Sequence, residues 1–128
     1  MAKYVVDAHA LVWRLTGSPR LSARAKSIFD DPSNEFILPI IALAEIFWMI
    51  ERKKTTIPDH QQLMAEIDSN PRIIIVPLDR ETLVRCSAMT AVPEMHDRMI
   101  VVTAQIHSLP IITKDRVIHA SGLVPVVW

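Results

Sequence analysis

KYVVDAHALVW, residues 3–13, decides the fold: Tyr4, Val5 and Val6 are β-formers that stop at Asp7, and from Ala8 to Leu15 apolar residues recur at helical spacing until Gly17 and Pro19 interrupt them. A strand running directly into a helix is the opening of a β-α unit. The same alternation continues outward from it. Ser22 is placed to cap a second helix through Phe29, Asp31 to Asn34 form a turn, and Phe36 to Leu38 make a second short strand. Pro39 suits the first turn of a helix reaching about Arg52, and Pro58 opens another that ends near Ser69.

Arg72 to Val76 is a β-branched run of the kind found in a strand covered on both faces, and Asp79 to Ala91 reads as a helix closed by Pro93. His96 to His107 is helical again, Pro110 to Thr113 a short strand, Asp115 to His119 a helical turn, and Val124 to Val127 a last strand. This order predicts an α/β fold in three layers, a central mainly parallel sheet flanked by helices on both faces. No linker, repeat or composition shift divides residues 1–128, so one domain is expected.

Half of the 128 residues are apolar and 22% are charged, which excludes a disordered chain and a membrane-embedded one. Fourteen basic residues balance 14 acidic ones, so net charge gives no reason to expect a nucleic-acid partner. The distribution says more. Residues 8–29 contain no acid but carry Arg14, Arg20, Arg24 and Lys26, while Asp97 and Asp115 are the only acids in residues 95–128. These cations are either solvated helix faces or parts of a basic surface. Cys86 stands alone, which rules out an intrachain disulfide and reads as a small apolar filler in a reducing, cytoplasmic setting. Asp7 interrupts what would be the apolar core of a signal peptide, so secretion is not expected.

Ligands of open parallel sheets bind beyond the carboxyl ends of the strands, where the connections reverse direction. Asp7 ends the first strand, Asp115 follows the Ile111–Thr113 run by one lysine, and Asp97 lies at the start of a helix. Each of these aspartates could equally serve as a helix cap. Glu45 resists that explanation, because it is the only charged residue between Phe36 and Ile50 on a helix apolar on nearly every face. A carboxylate there needs a metal ion, a basic partner or a water-filled cleft. If the four acids share one site, like charges about 4 Å apart repel by roughly 4 kcal/mol per pair at an effective dielectric near 20. Hard oxygen donors without a histidine or cysteine cluster point to Mg²⁺ or Mn²⁺ and to phosphodiester hydrolysis.

Together VVDAHALVW, the AEI segment containing Glu45, HDRMIVVTAQ and IITKDRVI resemble the PIN-domain family in order and spacing, across essentially the whole chain. Within it the VapC-type toxins look most similar, since their first motif joins the strand-end aspartate to a histidine, a leucine and a tryptophan, here Asp7, His9, Leu11 and Trp13. The resemblance implies that Asp7, Glu45, Asp97 and Asp115 form an acidic quartet that coordinates Mg²⁺ or Mn²⁺ and supports RNA cleavage. Thr113 matches a hydroxyl position beside that site. It further implies a homodimer and a small cognate antitoxin that blocks the cleft. One departure concerns the third motif, where the family commonly has a proline with an aspartate and this chain has Glu94, Met95 and His96.

His9 is expected to pack on the first helix or support the site, and His96 to lie at the surface. Arg98, Lys114, Arg116 and, near the start of the chain, Arg14 are candidate contacts for RNA phosphates, although an ion pair with a carboxylate uses the same chemistry. Trp13, Phe47, Trp48 and Trp128 are expected in the core or an interface rather than as stacking platforms. Two rivals stay open: a metal-dependent phosphodiesterase acting on DNA, and a PIN-like binding module without catalysis.

Overall fold

The computed structural model describes residues 2–128. Strand β1 (Lys3–Val6) leads into α1 (Ala8–Thr16) and α2 (Ala23–Asp30); β2 (Glu35–Pro39) follows, then α3 (Ile40–Glu51) and α4 (His60–Asp68). The second half contains β3 (Ile73–Val76), α5 (Arg80–Cys86), α6 (Met95–His107), β4 (Ile111–Ile112), α7 (Arg116–Ser121) and β5 (Val126–Val127). Ser22, Asp7 and Asp115 cap helices as their residue types suggested, and Asp59 and Asp79 do the same, each accepting a hydrogen bond from an amide in the first turn that follows, while Pro39 ends β2 and Pro58 precedes the cap of α4.

All strand pairings are parallel, in the order β3-β2-β1-β4-β5. The chain therefore steps outward from β1 to β2 to β3, then crosses back to place β4 on the other side of β1. Right-handed crossovers assign α1 to α4 to one face of such a sheet and α5 to α7 to the other. The change of direction falls between β1 and β4, which pair Val5 with Ile111 and Val6 with Ile112. Central strands fill the core, where Val5, Leu38, Ile111 and Ile112 are fully buried with Ile46 of α3 and Ile100 of α6.

The structure corrects two expectations about the second half. β3 is an edge strand whose four residues are only partly buried, not one covered on both faces. α5 stops at Cys86 rather than running to Ala91, because the Arg98 guanidinium reaches the Cys86 carbonyl and holds the following loop in another course.

Arg72 fastens the edge strand to the turn after α2. Its guanidinium donates to the carbonyls of Asp31, Asn34 and Phe29 at 2.8, 3.2 and 3.1 Å and lies 5.5 Å from the centre of the Phe36 ring. Hydrogen bonds from a charged donor contribute about 1.5–3 kcal/mol, so Arg72→Met should lower unfolding stability by about 2 kcal/mol in urea titrations. A variant with an unchanged midpoint would show that these contacts add nothing.

Candidate active site

Because Val6 pairs with Ile112, the next residues on both strands, Asp7 and Thr113, emerge side by side at the switch point. The Thr113 hydroxyl donates to Asp7 Oδ2 at 2.6 Å, and the other Asp7 oxygen accepts from the Ala8 amide at 2.7 Å. Thr113 Oγ also accepts from the Asp115 amide at 3.0 Å, which ties the start of α7 to the same point. Two further elements close around this pair. α3 brings Glu45 from its middle, and α6 brings Asp97 in its first turn with Glu94 at its cap position.

The result is a cavity of about 290 Å³ lined by Asp7, Glu45, Glu94, Asp97 and Asp115, together with His9. The four acids singled out in the sequence therefore border one space. Glu94 is an addition that sequence reasoning missed; its place three residues before Asp97, one helical turn away, was the available signal.

Burial pushes the Asp7 carboxyl above the ordinary carboxylate range, and the bonds from Thr113 and Ala8 only partly offset it; the nearby Asp97 charge adds to the rise. Burial raises Glu45 as well, opposed mainly by His96 and reinforced by Asp7 and Asp97. His96 corrects the expectation of a surface residue: it is half-buried, with Nε2 3.8 Å from Glu45 and Nδ1 3.6 Å from Asp97. Its neighbouring Asp97 first, and then Glu45, raise its affinity for a proton against the effect of burial. Nε2 is buried without a hydrogen-bond partner. α6 places this ring beside Glu45 because α6 packs against α3.

The other candidates divide. His9 is exposed, lines the cavity and lies 5.6 Å from the Trp13 ring centre, consistent with support of the site from α1. Asp115 also has a capping role, since its Oδ1 accepts from the Val117 and Ile118 amides. Arg98 does not reach out for phosphate: its guanidinium donates to the carbonyls of Val92, Cys86 and Pro93 and pins the loop before α6. Arg14 is also occupied, paired with Asp30 on the far side of α1 and absent from the acidic cavity. Lys114 and Arg116 remain exposed and line a neighbouring depression with Trp128, the Lys114 ammonium standing 5.7 Å from the Trp13 ring centre.

Among the described residues, no three histidine, cysteine or acidic side chains are already gathered closely enough to hold an ion. The donor set nevertheless fits a hard divalent cation of the Mg²⁺ type, which keeps several waters and takes only a few carboxylates directly. A cavity of about 290 Å³ has room for an ion with such a shell, given about 30 Å³ for each water. Raised carboxylates crowded against one another are what a bound cation would relieve.

A parallel sheet of this order with acids from separate segments meeting at its switch point defines a class of acidic-cleft α/β proteins. The model of the PIN domain matches residues 4–121, and the chain belongs to that family. No curated protein matches the chain. Among solved structures it is similar to a toxin-antitoxin complex from Klebsiella pneumoniae (17% identity, 98% of this chain and 96% of that one, TM-score 0.73). It is also similar to VapBC2 from Rickettsia felis bound to a promoter DNA fragment (11%, 98% and 97%, TM-score 0.73). A third is Mycobacterium tuberculosis VapC20, described as a sarcin-ricin loop cleaving toxin (12%, 94% and 96%, TM-score 0.73). At these identities the likeness is one of fold.

Proposed function

We propose that this chain is an endoribonuclease of the toxin type that works with Mg²⁺ or Mn²⁺, acting as one domain. The observation that carries the reading is the convergence of Asp7, Glu45, Asp97 and Asp115, from four separated segments, on one cavity at the switch point. Asp7, Glu45, Asp97 and Asp115 would hold the ion, with Glu94 lining the same cavity. When bound, the ion would supply a hydroxide-like nucleophile at neutral pH and offset charge building on the phosphate.

The chain's own residues prepare that site. Thr113 fixes the Asp7 carboxylate through the 2.6 Å bond, so the acid presents a set orientation. His96, whose proton affinity is raised by Asp97 and Glu45, stands beside both acids as a protonatable partner. Arg98 holds the loop that leads into Glu94 and Asp97. Lys114 and Arg116, exposed next to the cleft, are the remaining candidates for substrate phosphates. Family membership and the RNA-cleaving description of VapC20 support RNA as substrate.

A cognate antitoxin is proposed as partner, supported by the toxin-antitoxin complexes among the similar structures. A homodimer is proposed too, and the exposed Leu83 and Val84 of α5 are available to such a contact. Cytoplasmic action accords with the lone cysteine; among the described residues no helix is long and apolar enough to cross a membrane.

The test is cleavage of total cellular RNA by the purified chain with Mg²⁺ or Mn²⁺, alongside DNA of matched sequence. Discrete RNA cuts that cease on chelation are expected. Cutting that persists in excess chelator, or no cutting with either ion, would overturn the reading.

A further inference from the structure

Beside the acidic cavity lies a larger one of about 590 Å³. His9, Trp13 and Thr16, spaced four and three residues apart on one face of α1, form one wall. Glu45, Trp48 and Met49 of α3 form the other. His9 and Glu45 line both cavities, so the two spaces share a border at the acids.

Three features distinguish this groove from unfilled core. Trp48 is 45% exposed, on the same side of α3 as the exposed Ile40 and Ala44, and it lines the groove, so a large aromatic surface borders the opening. Arg20 and Lys54 line the groove, and Arg52 and Lys54 stand 5.2 and 5.4 Å from the centre of the Trp48 ring. None of these three cations makes an ion pair among the described residues. In a chain with zero formal net charge, such a cluster is a local arrangement rather than a by-product of composition. The hydroxyls of Thr55 and Thr56 add polar partners on the same wall.

We propose that this groove is a subsite for an unpaired RNA nucleotide flanking the bond that is cut, with the base against Trp48 and its phosphates on Arg20 and Lys54. The proposal rests on the ribonuclease reading, which gives the adjoining acids their role. Its chemistry is a stacking platform combined with a cationic track, the combination that binds single strands without needing a particular base. The long Arg52 and Lys54 side chains can leave the indole face for the phosphate while their charge stays beside it. A base inside a duplex has both faces covered by its neighbours, so it must leave the stack to reach Trp48. The groove thus selects loops and single strands over continuous helices.

Binding measured by fluorescence anisotropy in excess chelator, where no cleavage occurs, tests this. A labelled single-stranded RNA should bind the full chain at least several-fold more tightly than the same strand in a duplex. Trp48→Ala should weaken the single strand by roughly tenfold, while Trp48→Phe keeps most of the affinity. Lys54→Glu, at an exposed position that leaves the core alone, should weaken it as well and flatten its dependence on salt. Thermal melts of each variant establish that it is folded.

Equal binding by wild type, Trp48→Ala and Lys54→Glu would overturn the proposal, as would preference for duplex. Loss of capture of a co-expressed protein partner by Trp48→Ala, with RNA affinity unchanged, would reassign the groove to a protein and also overturn it. The two readings fail separately: RNA cleavage with Trp48-independent binding removes the subsite alone, whereas Trp48-dependent binding without cleavage in Mn²⁺ removes the nuclease alone.

Discussion

Asp97→Asn should reduce RNA cleavage by about a hundred- to a thousandfold, the usual loss when a preorganised electrostatic group is removed from a reacting centre. Asp97 lies in the first turn of α6, lines the acidic cavity and is close enough to Asp7 and Glu45 to influence both. Asparagine keeps the shape and one oxygen but removes the charge that a cation would meet. The fold should barely notice: a carboxylate near a helix N-terminus contributes about 0.3–1 kcal/mol through the helix dipole, and losing it costs at most that. Single-turnover cleavage and a urea titration on the same preparation check both halves. Full activity in the variant would remove Asp97 from the mechanism, and a collapse in stability of several kcal/mol would make it a structural residue instead.

The parts of this site carried by local pattern were readable in advance. Three β-formers ending at Asp7, and an isoleucine pair followed by Thr113, mark two strand ends, and parallel strands must deliver their ends to the same edge of the sheet. Glu45 betrayed itself as a lone charge in an apolar helix. What escaped depends on contacts between distant segments. Four consecutive β-branched residues at Ile73–Val76 look alike in a central or an edge strand, since strand order is set by crossovers and not by the strand's own composition. α5 ends early because Arg98, twelve residues on, reaches the Cys86 carbonyl. His96 was expected outside because adjacent helical residues point apart, yet packing of α6 near α3 brings both His96 and Asp97 to the acids. Trp48 was expected in the core or an interface; at 45% exposed it is not core, and only the assembled α1 and α3 walls show that it borders an opening.

Asp7→Asn should abolish cleavage as Asp97→Asn does but shift stability the other way, making the metal-free protein more stable at neutral pH. Asp7 is 8% exposed, and the penalty of burying its charge outweighs both hydrogen bonds it accepts, since its proton affinity is raised in spite of them. An acid whose folded pKa lies above its unfolded value binds protons more readily in the native state, so its contribution to stability falls as pH rises through that interval. Wild type and variant should therefore differ least below the ordinary aspartate pKa of 3.8, with the gap in favour of the variant opening above it. Asparagine caps a helix about as well as aspartate, so the bond to the Ala8 amide survives and one partner of Thr113 is the main loss. A gain of about 0.5–2 kcal/mol is expected, the range typical of relieving a cost held at a functional site. Mg²⁺ or Mn²⁺ should reverse the order, because an ion at a hundredfold excess over its Kd stabilises wild type by about 2.7 kcal/mol and the variant by less. Thermal melts at neutral pH with chelator and with Mn²⁺ decide it. If the variant melts lower in chelator, Asp7 is a structural cap whose charge the fold welcomes; if Mn²⁺ lifts both proteins equally, Asp7 does not hold the ion.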